Sequence, residues 1–217
     1  MPVVQVSIFI ALLTVFGLLF AAVQHTGSTP PNPIAPFPTQ EQLQPVVSPI
    51  PQSGQSAPTE AVQPTLAPTV LSDLQKASIS ATIKTTKGDI VLTLDAADAP
   101  YTVKNFMDKA TTKFYNNLTF HRVEDWVIQG GDPLGNGTGG GKMPTELSAK
   151  PFVTGSLGVA RGQDIHVSND SQFFITKSDA SWLNNQYTNF GQVTSGMDVV
   201  NKIAIGDKIM SITITRQ

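Results

Sequence analysis

Alternating apolar and polar residues run through the C-terminal part of the chain and predict a succession of short β-strands. The run ISATIKTTKGDIVLTL alternates on both sides of Lys87-Gly88-Asp89, a pattern typical of a β-hairpin. Further strand-like runs follow, separated by Gly, Asn and Asp clusters: LTFHRV, WVIQ, GSLGVA, SQFFIT, TNFGQV and IMSITIT.

Two segments of the same region have helical periodicity instead. Pro100 and Thr102 supply start signals for the first helix. One face of that helix carries apolar residues at the spacing i, i+3, i+4, i+7: Val103, Phe106, Met107 and Ala110. GMDVVNKIA predicts a second helix near the end of the chain. Many short strands with only two helices indicate a mainly β fold, a closed antiparallel barrel, rather than βαβ units.

The N-terminal segment is apolar without any alternation. Residues 3–23 carry no ionisable side chain, and these 21 residues would span roughly 30 Å as a helix, the thickness of a bilayer's hydrocarbon core. We therefore predict that residues 1–24 form a transmembrane signal-anchor. A cleaved signal peptide is the alternative, with FAAV as a weak cleavage site. A buried core helix is disfavoured because the segment has no polar face.

The distribution of charge does not indicate the orientation in the membrane, since the first Lys or Arg of the chain is Lys76. A long C-terminal domain can be translocated regardless of its own charge. We therefore expect a membrane-anchored protein whose C-terminal domain is extracytoplasmic. If the N-terminal segment is cleaved, the protein is secreted instead.

Residues 25–76 are rich in Pro, Gln, Ser and Thr and contain few aromatic residues. Prolines remove backbone donors, and the segment has too little apolar surface to offset its chain entropy. The composition predicts a disordered linker, which leaves residues 77–217 as the folded domain.

Composition and charge exclude several classes of function. The chain has 217 residues, no cysteine and a formal net charge of −2, so disulfides, thiolate nucleophiles and Cys-based zinc sites are excluded. No basic block of the kind that binds phosphates is present, so we expect no nucleic-acid partner. The three histidines are scattered and no HExxH motif occurs, and we predict neither a metal nor a cofactor.

FHRVEDWVIQGGDP places one arginine, Arg122, inside an apolar strand pattern with no nucleophile beside it. Taken alone, Arg122 fits a surface strand residue paired with Glu124 or Asp125 equally well. Its neighbours change this interpretation. APYTVKNFMDKATTKFYNNLTFHRVEDWVIQGGDP, GNGTGGG, SLGVAR, SQFFIT and WLNNQYTNFGQV occur in that order and together resemble the cyclophilins, a family of peptidyl-prolyl cis-trans isomerases.

The resemblance implies a closed eight-stranded barrel with two helices and a site that binds proline-containing polypeptides. It makes Arg122 the catalytic residue and Phe174 the floor of the proline pocket. The other substrate-binding residues that it implies are His121, Trp126, Val127, Gln129, Gly137, Ala160, Arg161, Gly162, Gln172, Trp182, Leu183 and Tyr187. It also implies binding of cyclosporin-type inhibitors.

Isomerisation explains why an arginine can act without a nucleophile. Rotation about a peptide bond has a barrier of about 18 to 20 kcal/mol because resonance gives the C–N bond double-bond character. No covalent bond is made or broken, so the catalyst only has to favour the twisted amide, and a permanently charged guanidinium can hydrogen-bond to it. A module that binds proline-containing segments without turnover is the alternative.

The chain departs from the family pattern at two places. The segment between Arg122 and Gln129 is one residue shorter than usual. A one-residue change reverses the facing of strand residues, so the two side chains share a groove only if a bulge is removed in compensation. The loop GQDIHVSND is about two residues longer than in common relatives, a difference expected to alter the groove for residues that precede proline.

Overall fold

The computed structural model describes residues 67–217. The predicted membrane segment and most of the predicted linker lie outside the described residues. The helices are α1 (Pro68–Lys76), α2 (Pro100–Thr111) and α3 (Met197–Lys202). The strands are β1 (Ile79–Thr85), β2 (Gly88–Leu94), β3 (Arg122–Val123), β4 (Val127–Gly130), β5 (Lys142–Pro144), β6 (Ser156–Arg161), β7 (Val167–Thr176), β8 (Asn189–Ser195) and β9 (Ile209–Arg216).

Helix α1 corrects the predicted boundary of the folded part. Its residues were assigned to the disordered linker, yet they form a helix with a proline in its first turn, where the missing backbone N–H is tolerated. The side chain of Leu74 is 3% exposed within the main core. The guanidinium of Arg216 donates a hydrogen bond to the backbone oxygen of Asp73 at 2.8 Å. The folded part therefore includes residues 68–76.

The predicted helices and the first hairpin are confirmed. Strands β1 and β2 pair in register from Ile79–Leu94 to Thr85–Gly88, with Thr86 and Lys87 at the turn. Helix α2 buries the apolar face that the periodicity predicted, and α3 lies within the GMDVVNKIA segment. Strand β5, which pairs with β7, was not predicted.

The sheet is antiparallel throughout, and eight strands follow one path in the order β3-β4-β7-β6-β8-β2-β1-β9. The prediction of a closed barrel is wrong, because this path is open between β3 and β9. The chain before β3 meets the start of β9 only at the isolated bridge Thr119–Lys208 and its flanking hydrogen bonds. Asn117 has a φ of 66°, a left-handed conformation that no regular strand adopts, so a continuous ladder cannot form there.

The two faces of β4 and β7 bury different apolar clusters. Ile128, Phe173 and Ile175 point into the main core, where α2 and the inner face of the sheet meet. Val127 and Phe174, which alternate with them, point to the opposite face and belong to a second, smaller cluster. The main core stabilises the sheet, and the second cluster lies on its outer face.

Within residues 67–217, no helix combines the length and the apolar character needed to cross a membrane.

Candidate active site

The strand register aligns four of the site's residues in one cross-strand row. Arg122 on β3 pairs with Gln129 on β4, Gln129 pairs with Phe174 on β7, and Phe174 pairs with Gly158 on β6. Residues directly opposite one another in an antiparallel sheet point to the same face. The register therefore brings the predicted arginine, glutamine and phenylalanine onto the outer face of the sheet.

The shortened segment between Arg122 and Gln129 preserves this alignment. Glu124 and Val127 exchange backbone hydrogen bonds, which leaves Asp125 and Trp126 as the tip of a tight hairpin. Six residues separate Arg122 from Gln129, an even number, so the two residues can lie opposite each other without a bulge. Arg122 and Gln129 therefore face the same groove despite the shorter segment, because the turn between them is tighter.

A chain of side-chain hydrogen bonds runs from Arg122 into the interior. The guanidinium NH1 donates to Oε1 of Gln129 at 3.3 Å, and Nε2 of Gln129 donates to Oε1 of Gln172 at 2.9 Å. Nε2 of Gln172 in turn donates to the backbone oxygens of Gly137 and Gly139. Both glutamines are buried. The Gln129 amide therefore connects the Arg122 guanidinium to Gln172 and, through it, to the glycine loop.

Glu124 binds the same guanidinium at a different nitrogen from Gln129. Its Oε1 accepts a hydrogen bond from Nε of Arg122 at 2.6 Å, and its Oε2 accepts one from Nε1 of Trp126 at 2.8 Å. The Arg122 guanidinium also lies 5.4 Å from the centre of the Trp126 ring. The Arg122 guanidinium holds the pKa of the Glu124 carboxyl below its ordinary value, although partial burial opposes this effect.

Apolar side chains form the second cluster on the same face of the sheet as Arg122. The second cluster consists of Val127, Phe152, Phe174, Ala180 and Leu183, with Trp126, Trp182 and Tyr187 packed against it. The rings of Phe152 and Phe174 stack with centres 5.7 Å apart, and the rings of Trp126 and Trp182 meet edge to face at 5.5 Å. The structure therefore brings the predicted pocket residues into one cluster, and Trp126 joins this cluster to Arg122.

Five of the predicted residues line an adjacent cavity of about 350 Å³. Gly137, Ala160, Arg161, Gly162 and Gln172 contribute to its walls, together with residues of the long loop before β7. The Arg161 guanidinium is buried, donates hydrogen bonds to the backbone oxygens of Gln186 and Gly162, and lies 4.3 Å from the centre of the Tyr187 ring. Arg161 thus connects the cavity wall to the pocket rim.

His121, which precedes Arg122 in the chain, interacts electrostatically with Arg122 and Asp132. Burial and the charge of Arg122 lower the pKa of His121, whereas Asp132 raises it. The pKa is lowered overall, so the ring is neutral at pH 7. Among the described residues, neither ring nitrogen of His121 has a hydrogen-bond partner. Burial raises the pKa of Asp132, but hydrogen bonds from the backbone of Leu134, Gly137 and Asn136 outweigh this effect and lower it overall. Asp132 thereby holds the glycine loop that contacts Gln172.

Three residues that contribute to the site were not predicted from the sequence. Phe152 stacks on the pocket floor from a segment with no strand pattern, so no local signal marks it. Asp132 was given no role, although its position just before GNGTGGG was an available signal. Gly158 lies directly under the ring of Phe174. In residues 67–217 no cluster of three or more His, Asp or Glu side chains is arranged to hold a metal ion.

Comparison with known proteins agrees with this geometry. The family model described as "Cyclophilin type peptidyl-prolyl cis-trans isomerase/CLD" matches residues 80–216. A peptidyl-prolyl cis-trans isomerase of Helicobacter pylori is 43% identical over 143 residues, which cover 62% of this chain and 86% of the relative. Peptidyl-prolyl cis-trans isomerase cypE of Dictyostelium discoideum is 43% identical over 128 residues, covering 56% and 82%.

A solved structure has the same fold. The crystal structure of a cyclophilin type peptidyl-prolyl cis-trans isomerase from Cryptosporidium parvum superposes with a TM-score of 0.60 at 29% identity, covering 64% of this chain and 98% of that chain. The family model spans more than half of the chain and includes every residue of the site. The chain therefore belongs to the cyclophilin family and is a peptidyl-prolyl cis-trans isomerase.

Proposed function

We propose that the chain isomerises X-Pro bonds in extracytoplasmic client proteins and assists their folding, with Arg122 as the catalytic residue. The observation that carries the catalytic assignment is the cross-strand row of Arg122, Gln129 and Phe174, which places a fixed guanidinium beside an apolar pocket. X-Pro bonds isomerise unaided over tens to hundreds of seconds, slowly enough to limit folding.

Arg122 acts on the twisted amide. As the amide twists, its nitrogen regains a lone pair and the neighbouring carbonyl oxygen changes its charge, so a hydrogen-bond donor at that position stabilises the twisted state more than the planar one. The side chain of Arg122 is 28% exposed, so the guanidinium is accessible from the outer face of the sheet. The positive charge of a guanidinium is permanent, so it does not have to be adjusted by neighbouring groups.

The arginine alone does not supply the rate. An acceleration of about 10⁵ requires roughly 7 kcal/mol, whereas one charge-assisted hydrogen bond contributes about 1.5 to 3 kcal/mol. The remaining stabilisation has to come from the pocket formed by Val127, Phe174 and Leu183, which holds the proline ring while the rest of the amide rotates. The side chain of Gln129 orients Arg122 in this proposal, in addition to binding the substrate backbone.

Substitution of Arg122 tests the assignment in a protease-coupled isomerisation assay on an X-Pro peptide. Arg122→Ala should lower kcat/KM by about 10² or more, which corresponds to roughly 3 kcal/mol of transition-state stabilisation. Peptide affinity should fall much less. Arg122→Lys should restore little activity, because an ammonium group lacks the planar fork. An isomerase rate for Arg122→Ala equal to that of the unmodified chain would refute the catalytic role.

Substitution of Phe174 is the contrasting variant. Phe174→Ala should weaken peptide binding and turnover together, because it removes the pocket floor that the planar and twisted states both contact. The predicted binding of cyclosporin-type inhibitors is proposed for this pocket, and competition of such an inhibitor with the X-Pro peptide tests it.

The apolar run over residues 3–23 supports membrane anchoring as part of the proposal. Fractionation of cells that express the whole chain, followed by N-terminal sequencing, separates the possibilities. A membrane-bound chain with an intact N-terminus supports the anchor. A soluble chain that begins near Ala22 supports secretion after cleavage, and a soluble chain with an intact N-terminus refutes both.

A further inference from the structure

Glu124 is a charged residue at the site to which the family resemblance assigns no role. It lies at the end of the shortened hairpin, and its side chain is 44% exposed. One carboxylate oxygen accepts a hydrogen bond from Nε of Arg122 and the other accepts one from Nε1 of Trp126, at 2.6 and 2.8 Å. A single side chain therefore contacts both the proposed catalytic residue and a residue of the pocket rim.

We infer that Glu124 is a positioning residue for isomerisation, which holds the Arg122 guanidinium and the Trp126 indole in one fixed arrangement. This inference rests on the proposed catalytic role of Arg122. Glu124 acts through these two side chains and does not itself contact the amide that rotates.

The hairpin backbone prepares Glu124 for this role. Residues two apart in an extended strand point to the same side, which places the Glu124 carboxylate beside the Arg122 side chain. The backbone of Glu124 is fixed by its hydrogen bonds with Val127. Nζ of Lys177 also donates a hydrogen bond to the backbone oxygen of Glu124 at 3.0 Å. The carboxylate therefore extends from a firmly held point of the chain.

Two contacts on different edges determine the plane of the guanidinium. Glu124 accepts from Nε and Gln129 accepts from NH1. The guanidinium is planar, so two hydrogen bonds in different directions restrict its rotation, and long side chains otherwise lose substantial rotamer entropy when they are ordered. With Glu124 and Gln129 in place, Arg122 is ordered before the substrate binds.

The carboxylate also has an opposing effect, because its negative charge offsets part of the positive charge of Arg122. The two effects predict opposite changes when Glu124 is removed. Loss of positioning lowers the turnover rate, whereas loss of the opposing charge raises it. Exposed ion pairs contribute little to folding stability, so either change should be visible in kinetics without a large change in thermal stability.

The experiment compares Glu124→Ala, Glu124→Gln and Asp125→Ala in the full chain. Asp125 is the matched control, since it lies in the same turn, is exposed, and makes no hydrogen bond or ion pair within residues 67–217. Glu124→Ala should lower kcat/KM for an X-Pro peptide by about three- to tenfold, mainly through kcat. Glu124→Gln, which replaces one acceptor oxygen with an amide donor, should give an intermediate value. Asp125→Ala should leave the rate unchanged.

A double-mutant cycle then shows whether Glu124 acts through Arg122. In the Arg122→Ala background, Glu124→Ala should change the residual rate by less than about twofold. The inference is overturned if Glu124→Ala leaves the rate unchanged or raises it, if Asp125→Ala lowers it equally, or if the fall persists in the Arg122→Ala background. If Arg122→Ala alone keeps the full rate, the proposed catalytic role fails instead.

Discussion

Gly158→Ala is expected to disturb the proline pocket without changing any residue that contacts the substrate. Gly158 lies on β6 directly opposite Phe174 on β7, and the phenylalanine ring covers the space where a side chain would be. A methyl group at Gly158 would lie 2.2 Å from Cζ of Phe174 and 2.6 and 2.7 Å from its two Cε atoms. Carbon atoms pack at about 3.5 to 4.0 Å, so the ring has to move by more than about 1 Å.

The neighbours of Phe174 determine where the ring can go. Phe152 stacks on it at 5.7 Å and Tyr187 packs edge to face at 5.9 Å, so sideways movement is restricted and the ring moves away from the sheet into the pocket. Overpacking of this kind costs about 1 to 3 kcal/mol. For a domain of this size that corresponds to a fall in thermal midpoint of roughly 3 to 10 °C. If the same free energy is lost from peptide binding, affinity falls by about 5- to 150-fold.

The assay measures the thermal midpoint and the KM for an X-Pro peptide on the same preparation. Gly191→Ala on β8 is the contrasting variant, because its methyl group would lie 2.5 Å from the backbone oxygen of Thr93 and does not meet Phe174. It should lower the thermal midpoint and leave KM unchanged at a temperature where the chain is folded. A Gly158→Ala variant with an unchanged KM would show that the ring of Phe174 does not define the pocket floor.

Two further predictions concern stability. A chain that begins at Ala77 should melt several degrees below one that begins at Ala67, because it loses the buried Leu74 side chain, and truncating a buried leucine costs about 2 to 5 kcal/mol; equal thermal midpoints would mean that α1 does not stabilise the domain. The lowered pKa of Asp132 means that its contribution to stability is complete above its ordinary value of 3.8 and is lost as the pH falls through the lowered pKa. Asp132→Asn should therefore lower the thermal midpoint above pH 3.8 and make it less sensitive to acid below that pH, and an unchanged acid sensitivity would contradict this.

Local patterns in the sequence were sufficient to predict the elements that bury one face and expose the other. The hairpin of β1 and β2 and the apolar face of α2 follow periodicities of 2 and 3.6 residues, since each of these elements buries one side against the main core. The pocket residues were predicted by resemblance to a family, whose motifs preserve their order along the chain. The structure brings together Arg122, Gln129 and Phe174 as that resemblance implied.

Helix α1 shows where composition misled the prediction. Its residues follow a Pro-rich stretch, and nine residues with one buried leucine carry too weak a periodic signal to be distinguished from a linker. The helix is stabilised by the core to which Leu74 belongs and by the contact with Arg216, and both lie far away along the sequence. The open edge between β3 and β9 is a second feature that the sequence did not predict. One residue with a left-handed backbone conformation, Asn117, interrupts the ladder there.

The sequence alone determined which residues could carry the chemistry, since an arginine, glutamines and a set of aromatic residues are chemical identities that folding does not change. Only the tertiary structure decided how they are used. Whether Arg122 and Gln129 face the same groove depends on the register across a turn one residue shorter than usual, and register is a property of strand pairs. The position of the Phe174 ring over Gly158 likewise depends on the distance between two strands, which no single segment of the sequence specifies.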